Sequence, residues 1–242
     1  MKPDLGEMDQ VVLARRVKML EPRIIQLKES ILEDNDADAE LLRNTLKSQR
    51  TCLINLMSSP GSGKTTTLLA LSRYFADQIK WGVMEADIDG DVDARTMIAE
   101  GVPSVQLHTG GMCHLDADMT RQGIKALEEE AGHMDMIVLE NVGNLVCPAE
   151  FDTGAAVNMT ILSVPEGDDK PAKYPLMYET CDILAINKTD ACAVFDFDFD
   201  RVEKYAKACN ENIRLFPISA RTGEGVRTLA DELLSRVRAW NA

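Results

Sequence analysis

Short apolar runs recur along the chain after Thr51, and segments with helical spacing of apolar residues separate most of them. Strands that alternate with helices are typical of a mostly parallel sheet with helices on both faces. We therefore predict an α/β fold of this type. The predicted strands are Leu53 to Met57, Trp81 to Ala86, Val105 to Leu107, Met136 to Leu139, Met159 to Val164, Ile183 to Ile186 and Ile213 to Ile218, and clear helical patterns cover Thr66 to Ile79 and Met119 to Ala131.

The first 50 residues show helical spacing and no strand-like run. One helical pattern includes Val12 to Leu20, and a second follows Pro22, which suits the first turn of a helix. A third runs from the acidic stretch after residue 33 to about Lys47. We predict a helical extension, residues 1–50, with a packing or dimer-contact role, followed by one domain, residues 51–242.

The composition is that of an ordinary globular protein, with 45% hydrophobic and 27% charged residues among 242. No apolar run approaches the roughly 18 residues of a membrane span. The first residues lack the layout of a secretory signal. We expect a cytoplasmic protein with no membrane association.

The formal net charge is −14. Binding to nucleic acid needs clustered Lys and Arg to neutralise phosphates, so this balance argues against nucleic acid as a partner. An acidic surface could attract basic partners or metal cations, although solubility alone is the simpler explanation.

A phosphate-binding loop follows the first predicted strand. Gly61 and Gly63 allow backbone N–H groups to surround an anion, and the helix that starts near Lys64 directs its positive end at the same point. Lys64 can reach the β- and γ-phosphates, and the Thr65 hydroxyl can bind Mg²⁺. Ser58 stands where this motif usually begins with glycine. The candidate phosphate-binding residues are Pro60, Gly61, Ser62, Gly63, Lys64, Thr65 and Thr66.

A guanine-binding motif, Asn187-Lys188-Thr189-Asp190, follows another buried strand. Asp190 can accept hydrogen bonds from the N1–H and 2-amino groups that guanine has and adenine lacks. Asn187 would tie this loop to the phosphate loop, and the Lys188 stem would cover the base. Ser219, Ala220 and Arg221 follow the last strand as a second base-contacting loop. A solvated loop is the alternative, but three ordered motifs at successive strand ends favour GTP or GDP as the ligand.

Two further strand ends supply candidate switch residues. Glu140-Asn141-Val142-Gly143 places a carboxylate for Mg²⁺, directly or through water, and a backbone N–H for the γ-phosphate. Asp87 is the second Mg²⁺-linked candidate, whereas Asp89, Asp91 and Asp93 are interpreted as a polar loop that caps the next helix. Asn144 follows Gly143 in place of a water-orienting Gln, so we expect slow hydrolysis of GTP. The catalytic candidates are Lys64, Asp87, Glu140 and Gly143.

Six cysteines occur without a CxxC pair, which disfavours a self-contained zinc knuckle. Cys113 and His114 precede a predicted helix, where a thiolate is favoured, and Cys147 lies on the same predicted edge of the sheet. A Cys-His pair is more often structural than metal-binding. Two or three ligands also leave a metal site incomplete, although a twofold dimer would double them.

The sequence resembles the HypB family of hydrogenase maturation GTPases. Five stretches carry the resemblance: Leu56 to Thr65, Gly111 to Ala117, Glu140 to Ala149, Glu166 to Lys170, and Asn187 to Asp190. The resemblance implies a GTP-dependent metallochaperone that dimerises with nucleotide and metal. Its implied ligands for Ni²⁺ or Zn²⁺ are Cys113, His114 and Cys147. Its implied partners are a HypA-type nickel chaperone and the large subunit of [NiFe]-hydrogenase.

Some family members carry an N-terminal CxxCGC site or a His-rich tract, and this sequence has neither. We therefore expect it to rely on the site within its nucleotide-binding domain. Two other functions stay open. One is a GTPase that serves another metalloenzyme, such as urease or a cobalamin enzyme, with structural cysteines. The other is a nucleotide-gated scaffold that contacts partners through its acidic face and N-terminal helices.

Overall fold

The computed structural model describes residues 22–26, 35–87, 90 and 92–242. Its strands form one eight-stranded sheet in the order β1-β4-β3-β5-β2-β6-β7-β8, and every neighbouring pair is parallel. The strands are β1 (Arg23–Gln26), β2 (Cys52–Ser58), β3 (Trp81–Asp87), β4 (Ser104–His108), β5 (Met136–Glu140), β6 (Val157–Ser163), β7 (Ile183–Asn187) and β8 (Arg214–Pro217).

Helices connect the strands and cover both faces of the sheet, as predicted. They are α1 (Asn35–Gln49), α2 (Lys64–Phe75), α3 (Val92–Ala99), α4 (Ala117–Ala131), α5 (Cys147–Glu150), α6 (Lys170–Lys173), α7 (Pro175–Glu179), α8 (Phe199–Cys209) and α9 (Val226–Asn241). Two short 3₁₀ helices cover Val164–Glu166 and Thr189–Ala191. Among the described residues, no helix is long and apolar enough to span a membrane.

The core is divided by the sheet because each buried strand supplies apolar side chains to both of its faces. On one face, Phe75 of α2 and Leu233 of α9 pack over the central strands. On the other face, Leu42 and Leu46 of α1 pack with Leu127 of α4. All seven predicted strands are present, which confirms the predicted α/β fold.

The prediction of a second helix after Pro22 is wrong for its first residues. Residues Arg23–Gln26 form the edge strand β1, and Arg23 pairs with Val105 of β4. The stretch Arg-Ile-Ile-Gln is too short to separate a strand from a helix by periodicity, and its partner lies about 80 residues away in the chain. The third predicted helix is present as α1. The helical pattern at residues 12–20 lies outside the described residues.

Candidate functional site

The phosphate loop connects β2 to α2 and is held by its own hydroxyl groups. Gly63 has a φ of 98°, a left-handed conformation that glycine adopts without strain. The Ser62 hydroxyl donates to the Ser58 hydroxyl over 2.7 Å, and Ser58 donates to the carbonyl oxygen of Ser59 over 2.9 Å. Ser58 is fully buried, so the residue that departs from the usual glycine anchors the base of the loop from inside.

Asn187 at the end of β7 joins the phosphate loop to the base-contacting loops. Its amide nitrogen donates to the carbonyl oxygen of Ser62 over 2.9 Å, which is the contact that the sequence predicted. Its amide oxygen accepts from the backbone N–H of Ala220 over 3.1 Å. A methyl group on Gly63 would lie 2.6 Å from the Asn187 amide nitrogen, so only glycine allows this close approach.

The two predicted base-contacting loops touch through Asp190 and Ser219. The Ser219 hydroxyl donates to one carboxylate oxygen of Asp190 over 2.7 Å. The Lys188 ammonium donates to the Gly61 carbonyl oxygen over 2.6 Å, which places its stem beside the phosphate loop. Arg221 is exposed next to these residues. The arrangement fixes one carboxylate oxygen of Asp190 and leaves the exposed side chain available to a base.

A polar cavity of about 410 Å³ lies between the phosphate loop and the ends of β3 and β5. The Lys64 ammonium lies 3.7 Å from a carboxylate oxygen of Glu140, and both side chains are largely buried. The cavity brings together all four predicted catalytic residues: Lys64, Asp87, Glu140 and Gly143. Asp87 is exposed at its rim, where one carboxylate oxygen lies 3.5 Å from the backbone nitrogen of Gly90.

Glu85 and Asp93 are carboxylates that the sequence analysis did not assign to this site. Within the described part of the chain, Glu85, Asp93 and Glu140 form the one group of three possible metal ligands whose ligand atoms all lie within 4.8 Å. The interpretation of Asp93 as a helix-capping residue is therefore incomplete. The sequence clue to a role for Glu85 is a carboxylate inside an otherwise apolar strand. In the sheet, Glu85 of β3 pairs directly with Glu140 of β5.

Burial perturbs the two paired glutamates. Desolvation first, and the neighbouring Glu140 carboxylate second, raise the pKa of Glu85 well above its ordinary value. Burial also raises the pKa of Glu140, although the nearby Lys64 ammonium opposes this. Among the described residues, Glu85 Oε1 and Glu140 Oε2 are buried oxygens without a hydrogen-bond partner. Carboxylate oxygens of this kind suit Mg²⁺, so the residues present fit a divalent cation.

The predicted sulfur and imidazole ligands lie on the segments before α4 and at the start of α5. Cys113 Sγ is 3.9 Å from Nδ1 of His114. The neighbouring Cys147 thiol is the largest cause of a raised pKa of Cys113, so the two thiols lie in the same neighbourhood. Among the described residues these three ligand atoms do not form a group within 4.8 Å of one another. One chain therefore brings the three side chains together without closing a metal site.

The segment from Glu140 to Phe151 contacts the phosphate loop and carries the Cys147 thiol. A methyl group on Gly143 would lie 3.1 Å from Cγ of Pro60, and Asn144 forms an isolated antiparallel bridge with Ser58. The Asn144 side chain accepts from the Val146 backbone N–H over 2.8 Å, just before Cys147 begins α5. The same short segment thus contacts the phosphate loop at one end and carries a thiol at the other.

Two of the remaining cysteines, Cys52 and Cys181, are poor metal ligands because they are buried. Burial raises the pKa of the Cys52 thiol to about 12 and raises the pKa of Cys181 further. Burial also raises the pKa of Cys209, whose thiol contacts the Pro171 carbonyl oxygen. Buried thiols such as those of Cys52 and Cys181 are inert, whereas Cys113 and Cys147 are only partly buried.

The chain is similar to known proteins over most of its length. The model of the family "CobW/HypB/UreG, nucleotide-binding domain" matches residues 52–217. A hydrogenase/urease maturation factor HypB from Helicobacter hepaticus is 39% identical over 224 residues, which cover 92% of this chain and 91% of that protein. The chain belongs to the CobW/HypB/UreG family.

Other HypB proteins of this family are similar over much of the chain. The hydrogenase maturation factor HypB of Azotobacter chroococcum is 43% identical over 204 residues, which cover 84% of this chain and 66% of that protein. The chain therefore spans just under two thirds of the length of this relative. The resemblance to the HypB family that the five sequence stretches carried is confirmed.

Solved HypB structures share the fold of this CobW/HypB/UreG chain. HypB from Helicobacter pylori, determined in complex with nickel, superimposes with a TM-score of 0.80 at 36% identity, covering 85% of this chain and 95% of that one. HypB from Archaeoglobus fulgidus gives a TM-score of 0.77 at 30% identity, covering 85% and 100%. The eight-stranded parallel sheet is accordingly a P-loop GTPase fold.

Proposed function

We propose that this chain is a GTP-hydrolysing nickel metallochaperone that assists hydrogenase maturation. The proposal is supported by relatives named hydrogenase maturation factors and by the H. pylori HypB structure with nickel. The observation that carries it is the segment from Gly143 to Cys147, which contacts the phosphate loop at one end and carries the Cys147 thiol at the other. A change at the nucleotide can therefore reach the metal ligands through a few residues.

In this proposal the carboxyl-terminal edge of the sheet, where the cavity lies, binds GTP or GDP. Backbone N–H groups of residues 61–63 and the Lys64 ammonium bind the phosphates. The Asp190 carboxylate accepts hydrogen bonds from guanine, and the Ser219 hydroxyl holds that carboxylate in place. Thr65, Asp87 and Glu140 would hold Mg²⁺, which would neutralise charge on the β- and γ-phosphates. The unpartnered oxygen of Glu140 and the nearby Glu85 supply the oxygen donors for this cation.

Hydrolysis of GTP to GDP and phosphate should be slow in the isolated protein. The side chain after Gly143 is Asn144, and its oxygen already accepts the Val146 N–H. That side chain is therefore occupied with holding α5 and is not available to orient an attacking water. Slow turnover suits a switch, because the GTP state then lasts long enough to bind a partner.

The metal in this proposal is cargo held by Cys113, His114 and Cys147 from two copies of the chain. Thiolate and imidazole ligands suit Ni²⁺ and Zn²⁺. A twofold contact would double a ligand set that one chain leaves incomplete. A HypA-type nickel chaperone would exchange nickel with this site in the cytoplasm, and the large subunit of [NiFe]-hydrogenase would receive it.

The proposal is tested by measuring oligomeric state and nickel content together. Size-exclusion chromatography with light scattering is run with GDP or a non-hydrolysable GTP analogue, each with and without Ni²⁺. We expect a dimer with the GTP analogue and Ni²⁺, and loss of bound nickel in Cys113→Ser and Cys147→Ser. Cys192→Ser is the matched control because Cys192 is a partly exposed thiol near the base-contacting loop. A monomer under every condition contradicts the proposal.

Urease is a second candidate acceptor, because the H. hepaticus relative is named a hydrogenase/urease maturation factor. The same nickel site would serve either enzyme. Equal nickel affinity in the wild type, Cys113→Ser and Cys147→Ser would instead favour a GTPase with structural cysteines. Activation assays with each nickel-free acceptor enzyme distinguish the two destinations.

A further inference from the structure

Asn35, the first residue of α1, is hydrogen-bonded to both segments that carry the thiol and imidazole groups. Its amide oxygen accepts from the backbone N–H of Ala117 over 3.0 Å, three residues after His114. Its amide nitrogen donates to the carbonyl oxygen of Asp152 over 3.0 Å, five residues after Cys147. The Asn35 side chain therefore bridges two segments: residues 113–117, called the Cys113 segment, and residues 147–152, called the Cys147 segment.

Additional contacts hold the Cys147 segment against α1. The Arg43 guanidinium binds both carboxylate oxygens of Asp152, at 2.7 and 2.6 Å, and donates to the Ala155 carbonyl oxygen over 3.0 Å. Gly154 comes so close to the helix that a methyl group there would lie 3.1 Å from the Ala39 carbonyl oxygen. One guanidinium nitrogen, Nη2, contacts both Asp152 oxygens and Nε donates to Ala155, so Arg43 holds this segment at two points. The backbone after Phe151 is thus set by α1.

The Cys113 segment is fixed to the same helix through α4. Arg121 of α4 contacts the Asp38 carboxylate of α1 at 2.5 Å and the Asp118 carboxylate at 2.8 Å. Leu42 and Leu46 of α1 are buried in the same apolar cluster as Ile124 of α4. Because α1 is held against α4 and residues 152–155 together, its position sets the spacing of the two ligand-bearing segments.

We infer that Asn35 is a positioning residue for the nickel site, acting through the backbone of Ala117 and Asp152 and not by touching the metal. The inference rests on the function proposed above, since it concerns the same Cys113, His114 and Cys147 site. The N-terminal extension, for which the sequence predicted only packing or dimer contact, thereby acquires a role in metal binding. A helix that only stabilised the fold would leave the ligand geometry unchanged.

The test compares Ni²⁺ binding and the thiolate-to-nickel absorption band in the full chain with a non-hydrolysable GTP analogue, the state in which the proposed site is complete. The variants are Asn35→Ala, Asn35→Asp and the control Asn44→Ala, which removes an exposed asparagine from the same helix. Asn35→Asp keeps an acceptor for the Ala117 N–H but loses the donor to the Asp152 carbonyl oxygen. It therefore tests the loss of the bridge between the two segments while the hydrogen bond to α4 is kept. Thermal unfolding confirms that each variant is folded and reports any general loss of stability.

We expect both Asn35 variants to bind Ni²⁺ on the order of tenfold more weakly, with a weakened or shifted absorption band, because each breaks the two-bond bridge between the segments. Asn44→Ala should match the wild type. Wild-type affinity and spectrum in Asn35→Asp would overturn the inference. If the wild type and Cys113→Ser bind Ni²⁺ equally, the metal site itself is refuted, which separates failure of the proposed function from failure of this inference.

Discussion

The imidazole ring of His114 lies parallel to the phenyl ring of Phe151, with centroids 3.6 Å apart and an interplanar angle of 8°. His114 belongs to the segment before α4, whereas Phe151 ends the segment that also carries Cys147. The imidazole of one ligand-bearing segment is therefore oriented by an aromatic ring of the other. Both Cys147 and Phe151 would shift together if nucleotide moved their segment.

Replacing Phe151 by Leu should weaken nickel binding. A stacked pair contributes beyond burial alone, so we expect a loss of affinity of roughly three- to tenfold, measured by titration with Ni²⁺. Phe151→Tyr keeps the stacked ring and should bind nearly as well as the wild type. Phe195→Leu is the control because Phe195 is an exposed aromatic residue in the loop after the base-contacting motif. Equal losses in the Leu and Tyr variants would show that stacking is not the cause.

Asp190→Asn should change which nucleotide base is bound. A carboxylate accepts from both donors of guanine, whereas an amide presents one donor that can pair with the 2-carbonyl of xanthine. Affinity for GDP, measured with a fluorescent analogue, should fall by about 100-fold or more, and affinity for xanthosine diphosphate should rise. Asp196→Asn, an exposed aspartate close by in sequence, should leave both affinities unchanged. Unaltered GDP binding in Asp190→Asn would remove Asp190 from the base site.

Glu85→Gln should stabilise the protein free of nucleotide and metal. The pKa of Glu85 is raised above its ordinary value of 4.5 by burial and then by Glu140. The folded state therefore binds a proton that the unfolded state has released, and stability falls as pH rises from about 4.5 through the raised value. Gln stays neutral, so the variant should gain about 1–3 kcal/mol at about pH 8 and progressively less towards pH 5.

Urea unfolding in the presence of EDTA at several pH values measures this effect. Glu211→Gln, which removes an exposed carboxylate, should give no pH-dependent gain in stability.

Glu85→Gln should also bind Mg²⁺ and GTP together less tightly, because a negative ligand is lost from the cavity. A variant less stable than the wild type at every pH would contradict the account of two buried glutamates whose pKa values are raised.

Much of the fold could be predicted because buried parallel strands leave a strong local signal. The runs that became β2, β5 and β7 are nearly continuous apolar segments bounded by polar turns, and their burial is complete along each strand. The edge strand β1 could not be predicted, because its four residues fit helix and strand alike and pairing with a distant β4 decides the outcome. Local pattern determines an element only where tertiary context does not compete.

The candidate site was predictable to the extent that it follows contiguous motifs. Asn187, Asp190 and Lys64 belong to such motifs, and the structure brings their loops together. The contributions of Glu85 and Asn35 depend on strand register and on a helix packed across the chain, which neither spacing nor composition encodes. Residues that act through tertiary contacts need coordinates to be recognised.

The central claim is that nucleotide state and metal binding are coupled through residues 143–151. The most direct measurement is the affinity for Ni²⁺ of the same protein bound to GDP and to a non-hydrolysable GTP analogue, at fixed protein concentration. Coupling predicts affinities that differ by about fivefold or more, with Ni²⁺ changing the ratio of the two nucleotide affinities by the same factor. Identical Ni²⁺ affinities in the two nucleotide states would contradict the account.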